Sequence, residues 1–150
     1  MIWKTGNIWI WHQMGATIVI PTNYGWKSDG TNVMGRGLAK EAAEQFPDLP
    51  ELYGESCQLS IPELHWPERR LILVPSKELN REAPWLSWQA PATIQRVQRS
   101  LEWLQANAGS FPNKVYVPCL GAGNGQLDDE LIQELMDKIL VDPKFIGVQQ

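Results

Sequence analysis

Three short apolar runs constrain this chain more than any other feature: Ala16-Thr17-Ile18-Val19-Ile20-Pro21, Leu71-Ile72-Leu73-Val74-Pro75 and Val115-Tyr116-Val117-Pro118. None alternates with charged residues, so each reads as a strand buried on both faces, the condition of inner strands in a mostly parallel sheet. Amphipathic patterns lie between and after them. Leu38, Ala42 and Phe46 recur every fourth residue until Pro47 stops the run, which predicts one helix. Ile94, Val97, Leu101 and Leu104 predict a second, with Pro91 suited to its first turn and Asn107 and Gly109 to its end. In the third, Asp128, Asp129 and Glu130 put negative charge ahead of an apolar face made by Leu131, Ile132, Leu135, Met136, Ile139 and Leu140. Pro47, Pro50, Pro62 and Pro67 break the middle into short pieces, and Lys144 to Val148 reads as a candidate final strand. Strands alternating with such helices indicate an α/β domain with helices on both faces of the sheet.

A chain of 150 residues is long enough for one core and short for two. With 43% hydrophobic and 20% charged residues it lies far from disordered or collagen-like compositions. The net charge of −4 excludes a module that grips a long run of nucleic-acid phosphates. A phosphate-bearing ligand must be held locally, with Arg69, Arg70 and Arg81 as candidates for a small basic rim. Cys57 and Cys119 give no disulfide framework, and His12 and His65, read as loop or surface residues, have no partner at metal-ligand spacing. Neither a metal nor a cofactor is expected. No secretory leader or run of ~18 apolar residues is recognised, so the expectation is a cytoplasmic protein with no membrane partner. Most of the eight tryptophans read as packing, with Trp3, Trp9 and Trp11 alternating with Ile2, Ile8 and Ile10 as in a strand.

Two of the strands end alike. Pro21 opens into a loop holding Gly25, Gly30, Gly35 and Gly37, and Pro118 opens into Leu120-Gly121-Ala122-Gly123-Asn124-Gly125; each loop then feeds a helix. Glycine permits close backbone approach, and the first N–H groups of a helix lack internal partners, so such loops suit phosphate oxygens. In a parallel sheet the carboxyl ends of the strands share one edge, which Lys77, two residues past Pro75, also reaches. The glycine spacing lacks the sixth-position glycine of the dinucleotide fingerprint, and no P-loop occurs, which argues against a hydride enzyme or an NTPase.

Ile18-Val19-Ile20-Pro21-Thr22-Asn23, followed by Val33-Met34-Gly35-Arg36-Gly37-Leu38-Ala39, resembles the first ligand loop of the macrodomain family; Pro118-Cys119-Leu120-Gly121-Ala122-Gly123-Asn124-Gly125 resembles its second. Met34-Gly35-Arg36-Gly37 with Phe46-Pro47, together with Pro75-Ser76-Lys77, is similar to one branch of that family. That branch includes the terminal ADP-ribose glycohydrolase and the antitoxin macrodomain that removes ADP-ribose from DNA. The match runs from about Thr5 to Leu140. It implies that residues 1–150 form a single macrodomain, a three-layer α/β/α sandwich around a mixed, mostly parallel sheet.

The resemblance also implies ADP-ribose as the ligand, with adenine near Asn7 and Ile8 and the distal ribose near Asn23 and Lys77. The diphosphate would lie between the loops, whose ligand-binding residues are Thr22, Val33, Met34, Gly35, Arg36 and Gly37 on one side and Leu120, Gly121, Ala122, Gly123, Asn124 and Gly125 on the other. Asn7 stands where many members carry Asp, Gln126 replaces a common glycine and Asp129 a common tryptophan. Gly125 stands where the terminal glycohydrolase carries its acid, so the antitoxin branch is the better match. The implied reaction is hydrolysis of an ADP-ribosyl linkage on a DNA base or protein side chain, Asn23 orienting the ribose and Lys77 acting at its anomeric carbon. A neutral Lys77 amine can form a Schiff base with the opened sugar, whereas a charged one can only stabilise negative charge. A phosphatase acting on ADP-ribose 1″-phosphate and a non-catalytic reader are the alternatives, and a cognate ADP-ribosyltransferase is a candidate partner. Asp128 reads as a helix cap before a general base, and Cys119 as a small buried thiol before a nucleophile. Trp85 and Trp88 either reach over the distal ribose or pack the second helix.

Overall fold

A computed structural model of the chain describes residues 1–79, 82–83, 92–121 and 126–150. Pro91, Arg81, Trp85, Trp88 and Ala122, Gly123, Asn124 and Gly125 lie outside the described residues. Six strands form one sheet: β1 (Ile2–Thr5), β2 (Thr17–Tyr24), β3 (Leu64–Trp66), β4 (Leu71–Glu78), β5 (Val115–Pro118) and β6 (Phe145–Gln149), in the order β1-β6-β5-β2-β4-β3. All neighbours pair in parallel except β3, which runs antiparallel along β4. Helices α1 (Ile8–Gln13), α2 (Gly37–Gln45), α3 (Leu49–Gln58), α4 (Ile94–Ala106) and α5 (Asp129–Ile139) complete the α/β fold. No helix among the described residues is long and apolar enough to cross a membrane.

The three apolar runs are inner strands because their side chains serve two cores. Ile18, Ile20, Leu71 and Leu73 pack with Ile8, Trp9, Ala42, Leu49 and Tyr53 of α1, α2 and α3 on one face. Val19, Ile72 and Val74 pack with Val97, Leu101, Leu104, Ile132 and Met136 of α4 and α5 on the other. This is the two-sided burial that an uninterrupted apolar strand requires.

Four local readings are corrected by the structure. Ile8–Gln13 is helical, not an extension of the strand alternation, because Asn7 caps it by accepting from the Trp9 N–H and Ile8, Trp9 and His12 form one buried face. His12 is therefore a core residue, its Nε2 2.9 Å from the Arg69 carbonyl oxygen, and not a loop or surface one. Pro50 does not break the chain; it sits in the first turn of α3, where its missing N–H costs nothing. Helix α4 opens at Ile94 on a Thr93 cap that accepts from Arg96 N–H, so Pro91 precedes the helix. Asp128 is the N-cap of α5, accepting from the Leu131 N–H at 3.1 Å, as its place ahead of the apolar face implied.

Candidate functional site

The carboxyl ends of β2, β4, β5 and β6 open onto one cavity of about 520 Å³. Val33, Gly35, Arg36 and Gly37 of the first glycine loop and Gly121 of the second line it together. Thr22, Asn23, Ser76 and Lys77 join them from the strands. Lys77 does not follow its strand, as the sequence suggested, but belongs to β4. A β-bulge between Thr22 and Asn23 shifts the register by one, so that Asn23 is paired with Lys77. Bulges re-aim side chains in this way beside functional sites.

Lys77 is half-buried, and that burial alone lowers its amine from the ordinary lysine range. Among the described residues it makes no hydrogen bond or ion pair, so nothing there favours its charged form. Asn23 is held from two sides: its Nδ2 donates to the Val33 carbonyl at 2.7 Å, and its Oδ1 accepts from Asn32 Nδ2 at 2.8 Å. Beside it, the buried Tyr53 hydroxyl donates to the Pro62 carbonyl at 2.6 Å, which obliges the Thr22 hydroxyl to donate to Tyr53 across 2.7 Å. Tyr53→Phe leaves a hydroxyl and a carbonyl unpaired in the core. Its expected cost is about 2 kcal/mol, measured as a shift in the urea midpoint at unchanged slope.

The first loop is seated on α3. The Asn32 N–H donates to the Pro50 carbonyl at 2.8 Å, and the backbone of Gly30 to Asn32 passes so close to Gly54 that an added Cβ would sit 2.1 Å from the Gly30 oxygen. The loop then enters α2, whose cap residue Arg36 makes no side-chain cap bond, leaving the first N–H groups of Gly37, Leu38 and Ala39 at the cavity wall. That wall suits an anion. The second loop differs. Gly121 holds φ +83° in a turn closed by the Leu127 N–H, but α5 beyond it is capped by the Asp128 carboxylate and places Asp129 on the cavity. The two helix starts at the cavity thus differ, α5 being capped by a carboxylate and α2 having no side-chain cap.

No family model matches the chain, and no curated protein matches it. Solved structures do. The macrodomain of Thermus aquaticus DarG superposes with a TM-score of 0.72 over 99% of this chain and 97% of its own, at 20% identity. The macrodomain of Mycobacterium tuberculosis DarG gives 0.71 with the same coverage and identity. This chain has the macrodomain fold. Thermosipho africanus DarTG, solved in complex with ADP-ribose, gives 0.73 at 20% identity over 99% of this chain, which spans 42% of the DarTG chain.

Not every residue expected at the macrodomain cavity lines it. Ile8, Met34 and Leu120 are buried in the two cores. Asn7 is exposed, and its side-chain oxygen accepts from the Trp9 N–H in capping α1. The Gly6 N–H donates to the Gln149 carbonyl, and it is Val148 and Gln149, at the end of β6, that border the cavity there. Arg69 and Arg70 precede β4 and so lie at the opposite edge of the sheet from Lys77; Arg69 pairs with Asp48 and Arg70 donates to the His12 carbonyl. They form no rim for this cavity. Gln133 and Gln149 line it without having been singled out, and Ser76 and Asp129, named in the sequence, line it without having been assigned to the ligand; the strand-end position of Ser76 and Gln149 offered a signal. Cys119 also borders it, with its thiol pushed up to about 12 by burial and then by the Asp129 carboxylate. Iodoacetamide at pH 8 is expected to modify Cys119 far more slowly in the folded protein than in urea, followed by peptide mass spectrometry; equal rates would contradict this.

Proposed function

We propose that residues 1–150 form one macrodomain that binds ADP-ribose and hydrolyses an ADP-ribosyl linkage on a DNA base or a protein side chain. The observation that carries this reading is the pairing of Asn23 with Lys77 in a cavity that also holds the open start of α2. The diphosphate is assigned to the Gly35–Gly37 wall, where the first N–H groups of α2, with no side-chain cap, offer donors. Three strand spacings separate β4 from β6, about 14 Å in all, enough to place the distal ribose at Lys77 and adenine toward Gln149, next to Asn7 and Ile8. The likeness to the DarG macrodomains and to a DarTG chain solved with ADP-ribose supports the same ligand.

In the proposed reaction the bond from the anomeric carbon to the modified atom breaks, that atom regains a proton, and water supplies the new hydroxyl. Asn23 donates to the ribose, and Lys77 lies beside it with an amine that burial inclines toward the neutral form. A neutral amine can attack the anomeric carbon as its bond to the modified atom breaks, a proton of the amine passing to that atom; the sugar opens to a Schiff base on Lys77, which water hydrolyses to ADP-ribose and the free amine.

Titration calorimetry tests the ligand first. ADP-ribose is expected to bind more tightly than AMP or NAD, and no heat with millimolar ADP-ribose would end the proposal. Turnover of ADP-ribosyl-DNA, ADP-ribosyl-protein and ADP-ribose 1″-phosphate then separates the two hydrolase substrates from the phosphatase. Binding without turnover of any of the three identifies a reader.

A further inference from the structure

We infer that Asn32 is a positioning residue that fixes the amide of Asn23 as a hydrogen-bond donor to the sugar. This rests on the ADP-ribose reading of the cavity. Asn32 is 2% exposed, and its Nδ2 meets three oxygens: Asn23 Oδ1 at 2.8 Å, the Gly25 carbonyl at 2.9 Å and the Asn23 carbonyl at 3.0 Å. Its own Oδ1 is buried with no partner among the described residues. Turning the amide over would set that oxygen against two carbonyls, so the side chain has only one acceptable orientation, held even though it orphans a buried acceptor.

The orientation of Asn32 dictates that of Asn23. Because the Asn32 amine points at Asn23 Oδ1, that atom must be the oxygen, and the atom facing Val33 must be the nitrogen. One Asn23 N–H goes to the Val33 carbonyl. Among the described residues no acceptor is recorded for the second, and Asn23 lines the cavity while remaining 5% exposed. That second N–H is a donor whose orientation the Asn32 clasp fixes, and it selects an oxygen with a lone pair at that point of the ligand. The Asn32 backbone is itself anchored on α3 through Pro50, so the clasp joins the support of the loop to the polarity of the site.

The test uses ADP-ribose and ADP, which share adenine and diphosphate and differ by the distal ribose. By calorimetry, Asn32→Ala is expected to lose about fivefold to tenfold in affinity for ADP-ribose, the worth of one hydrogen bond, and to keep its affinity for ADP within about twofold. In an Asn23→Ala background the same change should cost nothing further, because its effect passes through Asn23. Equal losses for both ligands, an undiminished loss in the Asn23→Ala background, or no loss at all would overturn the inference while leaving the ADP-ribose reading intact. Failure of the unmodified protein to bind ADP-ribose would remove both. Should Asn32→Ala not fold, the side-chain amide resonances of the unmodified protein decide: ADP-ribose should shift the Asn23 pair and ADP should not, and an Asn23 pair unmoved at saturation rejects the proposal.

Discussion

Lys77→Ala should lower the release of ADP-ribose from a modified substrate by about 10²-fold or more while changing affinity for free ADP-ribose by no more than about threefold. The small binding effect follows from the site: among the described residues Lys77 has no partner to leave unsatisfied, and its amine bears a desolvation cost when charged. Lys77→Arg separates the two possible roles, since a guanidinium keeps the charge and cannot act as a neutral amine. An arginine variant as inactive as the alanine one, together with borohydride trapping of a sugar adduct, supports the Schiff base; an active arginine variant leaves only charge stabilisation. The pH profile follows the same sign. With its folded pKa below 10.5, the neutral fraction grows as pH rises through the lowered value, so a nucleophilic Lys77 gives a rate that climbs and levels off before 10.5. Between those two values the unfolded chain binds more protons than the folded one, so stability also rises with pH there, a rise that Lys77→Met should abolish. Full turnover by Lys77→Ala would remove the lysine from the mechanism.

Gly54→Ala should be the most damaging single methyl in the molecule for the site. The new Cβ would lie 2.1 Å from the Gly30 oxygen and 2.8 Å from the Asn32 nitrogen, both backbone atoms that cannot swing aside as a side-chain end would. Overpacking against main chain puts the cost near the top of the usual range, about 3 kcal/mol. For a chain of this size that lowers Tm by about 6–12 °C, and the displaced loop should take ADP-ribose affinity with it. A melting curve within about 2 °C of the parent would show that the loop moves off α3 freely.

How much of this was legible before folding depended on whether a feature was local. The inner strands were readable because two-sided burial leaves an unbroken apolar run, and Val115–Pro118 appears with the very limits expected. The cap at Asp128 was readable because a carboxylate before an apolar face has few other uses. Helix α3 was not, since Pro50 looks the same in a first turn as in a breaker. That Gly121 shares a cavity with the first glycine loop followed from strand direction alone. The register of Asn23 against Lys77 did not, because it rests on one bulge whose residues carry no mark of it. Asn32 lay in a stretch of Asp29, Gly30 and Thr31 that reads as an ordinary turn, and only its three acceptors set it apart.

The unequal helix starts have a bearing on which molecules are turned away. Asp129 lines the same cavity as the Gly35–Gly37 wall, in the first turn of a helix capped by Asp128. On the proposed reading of the cavity, an anion that extends past its diphosphate toward that side meets the Asp129 carboxylate, a penalty that selects by repulsion. Unmodified polynucleotide, charged at every neighbouring phosphate, is the visitor such a carboxylate would discourage most.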